Sequence, residues 1–311
     1  MFKQAYFYKC DFAKAMSTSD VESVLKEKAF GIRSENDHTD RGGFIPPLSN
    51  SESLTHGSQG RTLFRFFSEK KVIPPYEVNQ LLEKKIEKIN LEENRRVGKL
   101  EEEQLKQECI AYLRPRAFFK SQDHYGFFDH NHGVMVLDCN ACMSDLLSSS
   151  LRKIFKKYLT EDFKIDPILN DDGKYILEKQ LMNWLSAPSL MPDAFELGHK
   201  LKFLGTEGET VNVSIKEEKL PAYIAENLSI VRKIEAMQVY YALPGGSSSV
   251  PFKVNEKFHL SSIKHAHECK RFEGDEDSLD SDFVLHTGTV MEIYEKIWGS
   301  IKEEVLEKEE E

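Results

Sequence analysis

The alternation of apolar and polar positions along the chain predicts many short strands. A period of two, with side chains pointing to opposite faces, is typical of a half-buried strand. Segments with this pattern are those around Ala5 and Phe7, Arg61–Phe67, 116–128, Val134–Leu137, Val211–Ile215, Ile230–Leu243, Val250–Phe258 and Phe283–His286. Turn-forming residues at 130–133 and 245–249 predict two β-hairpins.

A second pattern, with apolar residues three and four positions apart, predicts helices between these strands. Ser19 and Glu22 form an S-x-x-E capping box, which predicts a helix start. Between Tyr76 and Leu113, two apolar series separated near Gly98 predict a pair of highly charged helices that form an antiparallel finger. Further helices are predicted at 141–159, near Trp184 and after Gly288.

These elements together predict an α+β fold with mixed sheets. The composition changes at Pro74-Pro75, and Pro115 ends the second charged helix. We therefore expect a central α+β domain built from residues 1–75 and 116–167, and a projecting helical finger at 76–115. Residues 168–311 would form a base α+β domain with an acidic C-terminal helix.

The composition is that of a globular protein, with 40% hydrophobic and 30% charged residues. No apolar run reaches the ~18–20 residues needed to cross a bilayer, and the first residues lack the pattern of a secretory signal. The five cysteines are an odd number at irregular spacing, as expected for reduced thiols. We expect a cytoplasmic protein.

The net charge of −10 disfavours a nucleic-acid partner at first sight, but it is concentrated in two segments. Residues 273–282 hold six acids and no base, and residues 301–311 hold six acids and two lysines. These two segments account for the whole net charge, so the remainder of the chain is neutral. A neutral body can still present a basic surface, because binding responds to the local potential.

Candidate enzymatic motifs are few. Cys139 and Cys142 form a C-x-x-C pair at a predicted helix start, where a lowered thiol pKa would suit a thiol oxidoreductase. Clusters at His124, His130 and His132 and at His265, His267 and Cys269 match no zinc-site spacing. Phosphate-binding loops and the usual hydrolase motifs do not occur. We expect no catalytic residues, no cofactor and no metal.

The segment Arg114–Lys120, with the sequence RPRAFFK, combines three basic residues with two adjacent aromatic residues. In a strand, Phe118 and Phe119 must point to opposite faces, so one can be exposed while the other is buried. An exposed phenylalanine flanked by arginine suits either a contact between subunits or a contact with nucleic acid.

Several of these segments, in this order, resemble the bacterial RdgC family over nearly the whole chain. The matching segments are Gly43–Pro47, Leu54–His56, Lys71 through the charged helices to Pro115–Phe118, Asp138–Cys139, Trp184, Asp282–Leu285 and Thr287–Gly288. The P-R-A-F and D-F-x-L-x-T-G segments are the most specific of them.

This resemblance implies a homodimer that closes into a ring around double-stranded DNA and binds it without sequence preference. Such a protein would be nucleoid-associated and would restrain the RecA recombinase by occupying DNA. It implies that Phe118 belongs to a dimer interface. Lys216 and Lys219, which flank the position of the family's DNA-facing pair, are expected to contact DNA in its place, and we expect Arg116 of the RPRAFFK segment to contact DNA as well. Glu217-Glu218 stands where family members can carry a basic–polar pair.

The residues alone are compatible with two other functions. The first is a cytosolic thiol oxidoreductase that uses Cys139 and Cys142. The second is an inhibitor that contacts the recombinase directly and binds little DNA of its own.

Overall fold

The computed structural model of the chain describes residues 2–31, 40–48, 51–159, 163–169, 173–215, 228–246, 248–265 and 276–309. Two compact units are present. The first comprises Met1–Glu27, Pro46–Arg65 and Tyr125–Glu311, and the second comprises Lys28–Ile45 and Phe66–His124.

The helices and strands confirm the α+β fold class. The helices are α1 (Thr18–Leu25), α2 (Pro75–Glu92), α3 (Lys99–Leu113), α4 (Ala141–Phe155), α5 (Leu177–Ser186) and α6 (Glu276–Glu309). The strands are β1 (Ala5–Lys9), β2 (Arg41–Ile45), β3 (Thr55–Ser58), β4 (Arg61–Val72), β5 (Phe118–Asp129), β6 (Val134–Asp138), β7 (Asp166–Pro167), β8 (Phe195–Gly205), β9 (Thr210–Ser214), β10 (Val231–Ala242), β11 (Ser249–Val254) and β12 (His259–Ser261). Among the described residues, no helix is both long and apolar enough to span a membrane.

The first unit is organised around a large sheet with the strand order β4-β5-β6-β1-β12-β11-β10-β8-β9, in which β3 also pairs with β4. The expectation of mixed sheets is corrected, because the strand pairs whose register is described run antiparallel. Short turns explain this, since two strands joined by a tight turn must run in opposite directions. Gly133, Gly245 and Gly246 supply the positive φ angles that such turns need.

One face of this sheet is covered by α5 and α6. Trp184 of α5 is fully buried, and so are Phe283, Val290 and Ile297 of α6. The α6 residues recur at intervals of seven, which is two helical turns, so they lie on one stripe. They form one apolar cluster with sheet residues such as Phe203. Truncation of a buried tryptophan such as this one typically costs about 3–5 kcal/mol.

Helix α4 packs on the opposite face of the sheet, at β1. Asn140 caps its N-terminus by accepting a hydrogen bond from the backbone N–H of Met143 (3.0 Å). The hydroxyls of Tyr8 in β1 and Ser144 in α4 lie 2.6 Å apart and are buried. Leu147 and Leu151 are fully buried on the same helix face, as the spacing predicts.

The predicted strand Phe283–His286 and the turn at Thr287-Gly288 are wrong, because both lie inside α6. The Thr287 hydroxyl donates to the carbonyl of Phe283 one turn earlier (2.6 Å), which keeps this polar side chain satisfied inside a helix. The four apolar and aromatic letters at 283–286 resemble a strand only because the run is short. The helical spacing of the buried residues becomes visible when the segment considered extends from Phe283 to Ile297.

One local prediction near the N-terminus also needs correction. The capping box of α1 is formed by Ser17 and Asp20, not by Ser19 and Glu22. The Ser17 side chain accepts from the Asp20 N–H (3.3 Å), and the Asp20 carboxylate accepts from the Ser17 N–H (2.8 Å). The segment 48–60, whose composition is that of a loop, also contains strand β3, which forms a hairpin with β4.

The second unit contains the charged helices α2 and α3 and strand segments in the order β2-β4-β5. The predicted break near Gly98 is confirmed, since Gly98 is the N-cap of α3. The two helices pack through a small apolar cluster centred on Val78, Leu82 and Cys109. Lys85 of α2 and Glu108 of α3 add an ion pair at 2.8 Å on the surface.

Two histidines of the first unit make its stability depend on pH. Burial lowers the pKa of His259 to about 4, from 6.5, and its ring stacks on Tyr6 at 3.8 Å. Burial, with a further contribution from the neighbouring His286, lowers the pKa of His265 to about 4. Between pH 6.5 and about pH 4, these two histidines are protonated in the unfolded chain but not in the folded one. Acid therefore favours unfolding in this range.

We therefore expect the free energy of unfolding to fall as the pH drops from about 6.5 to about 4, and this contribution to level off below that. Replacing His259 by Phe keeps the ring stacked on Tyr6 and removes one titrating group. Urea unfolding at several pH values should then give a slope that is shallower by about 1.4 kcal/mol per pH unit. An unchanged slope in His259→Phe would contradict the assignment.

Candidate nucleic-acid interface

Three lysines lie together on a face of the first unit's sheet that no described helix covers. Lys200 and Lys202 belong to β8, and Lys253 belongs to β11. Because side chains alternate along a strand, the neighbouring residues Leu201 and Phe203 point into the core while the lysines point outward. The intervening strand β10 brings β8 and β11 to within two strand spacings of each other.

These lysines line a shallow groove of about 240 Å³, here called the lysine groove. Strand β9 adds two polar side chains to it, because Asn212 lies opposite Lys202 and Ser214 lies opposite Lys200 in the register. Hydroxyl and amide groups beside ammonium groups are the usual partners of phosphate oxygens in nucleic acids.

The charges in the lysine groove are only partly compensated. The Lys202 ammonium forms an ion pair with Glu235 at 2.8 Å. Lys200 and Lys253 form no ion pair with any residue in the described part of the chain. The groove therefore presents two cations free to meet an anionic ligand. Each phosphate neutralised in this way releases counterions, which favours binding and makes it sensitive to salt.

The lysine groove was not anticipated from the sequence, because strand β8 was not predicted. The sequence nevertheless contains a pattern that indicates strand β8. In the run from His199 to Phe203 the lysines at 200 and 202 alternate with Leu201 and Phe203, as in a strand with one polar face. The interruption at Gly198, where the pairing of β8 with β10 shifts register, shortens the alternating run and hides it.

Phe118 and Arg116, both predicted site residues, lie in the second unit where α3 ends and β5 begins. Phe118 is 88% exposed, whereas Phe119 is partly buried beneath the Lys71 ammonium, which lies 5.0 Å from its ring centre. This confirms that the two rings point to different environments. The guanidinium of Arg116 lies 5.0 Å from the Tyr112 ring centre and donates to its hydroxyl (3.1 Å).

A phenylalanine as exposed as Phe118 needs an explanation. Tyr112 and Tyr76 of the same unit are also exposed. Large exposed aromatic residues are typical anchors of protein–protein contacts. Arg116 interacts with Tyr112, one of these exposed rings.

Lys216 and Lys219, the other two predicted DNA contacts, lie outside the described residues together with Glu217 and Glu218. Their role stays a prediction. The described structure nevertheless ends β9 at Ser214, immediately before them, and Ser214 lines the lysine groove.

The environments of Cys139 and Cys142 do not suit a redox-active pair of thiols. Burial, together with the adjacent Asp138, raises the pKa of the Cys139 thiol to about 12. Cys139 is buried whereas Cys142 is exposed. A redox thiol requires an accessible sulfur with a lowered pKa, so this geometry favours two unrelated cysteines.

The histidines near the thiols are held apart by separate hydrogen bonds. His124 contacts Ser68 (3.2 Å), and His130 contacts Thr62 (2.7 Å). His132 instead bonds the buried Asp129 carboxylate (2.9 Å). No group of three or more potential metal ligands occurs among the residues that are described. His267 and Cys269 lie outside them.

Comparison with known proteins identifies the family. The family model described as "Putative exonuclease, RdgC" matches residues 1–304. The chain belongs to the RdgC family. Proteins named recombination-associated protein RdgC are similar along almost their whole length, so this is a family involved in recombination.

Sequence identity to these RdgC relatives is modest but extends over most of each chain. The protein of Shewanella loihica is 26% identical over 294 residues, covering 91% of this chain and 92% of the relative. That of Shewanella baltica (strain OS195) is 29% identical over 297 residues, covering 91% of each. That of Proteus mirabilis is 25% identical over 307 residues, covering 95% and 96%.

The environments of the two thiols lead to a labelling prediction. At pH 8, iodoacetamide should modify Cys142 rapidly and Cys139 only after unfolding, because alkylation requires an accessible thiolate. Peptide mass spectrometry of native and urea-treated protein measures this. Faster labelling of Cys139 than of Cys142 in the native protein would restore the oxidoreductase hypothesis.

Proposed function

We propose that this RdgC-family chain binds double-stranded DNA without sequence preference, as a homodimeric ring, and limits the access of RecA recombinase by occupying the DNA. The lysine groove is the observation that carries this proposal. Its cations and polar groups suit the phosphate backbone, which is the same for every sequence. Nucleoid association in the cytoplasm follows from the same activity.

The chain's acidity is compatible with this function because electrostatic attraction is local. At physiological salt the Debye length is about 8 Å, so exposed charges farther away than this are largely screened. The acids that set the net charge of −10 lie in residues 273–282 and 301–311, and none of them belongs to the strands that line the lysine groove. Lys200 and Lys253 can therefore attract phosphates even though the whole protein is an anion.

Each contact with the phosphate backbone of DNA is weak by itself. A closed ring would keep the protein on the DNA despite these weak contacts. Closure around the duplex slows dissociation without requiring a strong individual contact. The exposed ring of Phe118 supports a dimer contact, because covering a large apolar side chain with a second subunit contributes much of the free energy of association. Arg116 beside it supports a contact with DNA near that interface.

We propose binding rather than the exonuclease activity that the family description names. Nucleases that use two metal ions require carboxylates arranged around ions about 3.5–4 Å apart. Within the described ranges no cluster of potential metal ligands of this kind occurs. Direct inhibition of the recombinase with little DNA binding is the remaining alternative, and DNA titrations separate it from the proposal.

Reversing the two free charges of the lysine groove should weaken DNA binding. For Lys200→Glu/Lys253→Glu we expect at least about tenfold lower affinity at low salt. The log–log salt slope should also be smaller, by about 0.9 for each phosphate that the variant no longer neutralises. Fluorescence anisotropy with random, AT-rich and GC-rich duplexes at several salt concentrations measures both quantities. The three duplexes should give the same line, because phosphate contacts do not read bases.

The matched control is Lys84→Glu/Lys99→Glu, which reverses two exposed lysines of α2 and α3 and changes the net charge equally. It should bind nearly as the parent does. With Mg²⁺ added, the DNA strands should keep their full length on a denaturing gel. Equal effects of the two double variants, a strong preference for one duplex, or shortened strands would each overturn the proposed function.

Phe118→Ala should weaken the dimer and, through it, the retention of DNA. Truncating an aromatic anchor at an interface can cost about 2 kcal/mol or more, which is close to a thirtyfold change in the dimer dissociation constant. Analytical ultracentrifugation measures this, with Tyr158→Ala as the control for loss of an exposed aromatic residue in the other unit. A Phe118→Ala protein that dimerises like the parent would contradict the role of Phe118.

A further inference from the structure

The second unit carries a larger groove that the proposed DNA function does not use. It has a volume of about 540 Å³ and lies between the first turns of α2 and the last turns of α3. Helical spacing explains its shape. Pro75 and Val78 share one face of α2, and Lys106, Ile110 and Arg114 recur every four residues along one face of α3. We call it the helix-pair groove.

The floor of the helix-pair groove is apolar. Ile73, Pro75, Val78 and Ile110 line it. Val78 is buried in the small core between the two helices, and Ile73 and Ile110 pack against that core. The floor is therefore anchored by the fold and can accept an apolar side chain without rearrangement. Pockets with an apolar base and a few fixed polar groups are typical binding sites.

The rim of the groove is cationic. Lys71, Lys106 and Arg114 line it, with Asp40 as the single acid. Arg114 lies 3.5 Å from the Asp40 carboxylate. The Lys71 ammonium is held in place by the carbonyl oxygens of Arg114 (2.7 Å) and Pro115 (2.8 Å) at the end of α3.

Lys106 differs from the other two cations of the rim. It forms no ion pair or hydrogen bond with any residue in the described segments, and it stands one helical turn from Ile110 on the same face of α3. An unpaired ammonium beside an apolar floor favours a ligand that brings a carboxylate and an apolar side chain together. Charge complementarity would then steer and orient that ligand.

We propose that the helix-pair groove binds an acidic peptide segment of a partner protein, with an apolar side chain on the floor and carboxylates at Lys106 and Arg114. A second copy of this chain, inserting Phe118, fits less well, because Arg116 and Lys120 would bring like charges to a cationic rim. A nucleic-acid backbone has no apolar group for the floor. The lysine groove, where Asn212 and Ser214 lie beside Lys202 and Lys200, suits phosphates better.

A selection experiment tests the class of ligand. A phage-displayed library of random twelve-residue peptides is selected on the full-length protein and counter-selected on Lys106→Glu. We expect the surviving peptides to share Asp or Glu next to Leu, Ile or Phe. The same peptides, synthesised with a fluorescent label, should bind the parent about tenfold more tightly than Lys106→Glu, because reversing one rim charge removes attraction and adds repulsion.

Matched variants separate the groove from general effects. Lys84→Glu reverses an exposed lysine of α2 outside the groove and should bind the peptides like the parent. Ile110→Ser should weaken binding through the floor, whereas Ile89→Ser, at a comparably half-buried position on α2, should not. Thermal melting shows whether each variant is folded. Lys200→Glu/Lys253→Glu should keep full peptide binding, so failure of the DNA proposal would leave this one intact.

Several outcomes would overturn the proposal. These are no enrichment, enrichment of basic or uncharged sequences, equal peptide binding by the parent and Lys106→Glu, and loss of duplex DNA binding in Lys106→Glu, which would assign the surface to nucleic acid. A change of oligomeric mass in Lys106→Glu would likewise assign it to a contact between copies.

Discussion

The alternation of side chains along β8 is the constraint on which the candidate interface depends. Leu201 and Phe203 must be buried beneath the sheet, because they belong to the apolar core that α5 and α6 complete. Lys200 and Lys202 are then forced to the opposite face, together with Lys253 from β11. A shift of one residue in register would bury two charges and expose the core, at a cost of many kcal/mol.

The lysine groove and the helix-pair groove differ in the side chains that accompany their positive charges. In the lysine groove, polar side chains of β9 lie beside the ammonium groups of β8, and this suits a uniform row of phosphates. In the helix-pair groove, Ile73, Val78 and Ile110 lie beneath the cations, and this suits a ligand with an apolar group. Net charge alone would not have revealed either surface, since it sums over the whole chain whereas binding responds to the local potential.

The sequence anticipated those elements whose pattern is long or whose turns are distinctive. The paired helices around Gly98 and the hairpin of β5 and β6 were predicted because helical spacing and an Asn-x-Gly turn are strong local signals. Strand β8 was missed because a register shift near Gly198 interrupts its alternation. The first part of α6 was taken for a strand, since Phe283–His286 is too short a run to separate the two periods.

The functional surfaces were less predictable than the fold. The residues alone predict that one of Phe118 and Phe119 is exposed, and the resemblance to the RdgC family selects Phe118. The structure shows that Phe118 is the exposed ring, and its role stays a prediction. The lysine groove could not be predicted, because it combines β8, β9 and β11, and the sequence does not show which distant strands become neighbours. The pairing of Lys202 with Glu235, which leaves Lys200 and Lys253 as the free cations, likewise depends on the register of β8 against β10.

The most direct test of the central claim is cross-linking from the sheet face itself. In a Cys142→Ser/Cys269→Ser background, Ser214→Cys places a benzophenone label at the edge of the lysine groove, and Ser23→Cys places it on the exposed side of α1. The account predicts that irradiation with random duplex DNA gives strong cross-links from position 214 and only background from position 23. Equal cross-linking from both positions, or none from 214 while the protein still binds DNA, would contradict it.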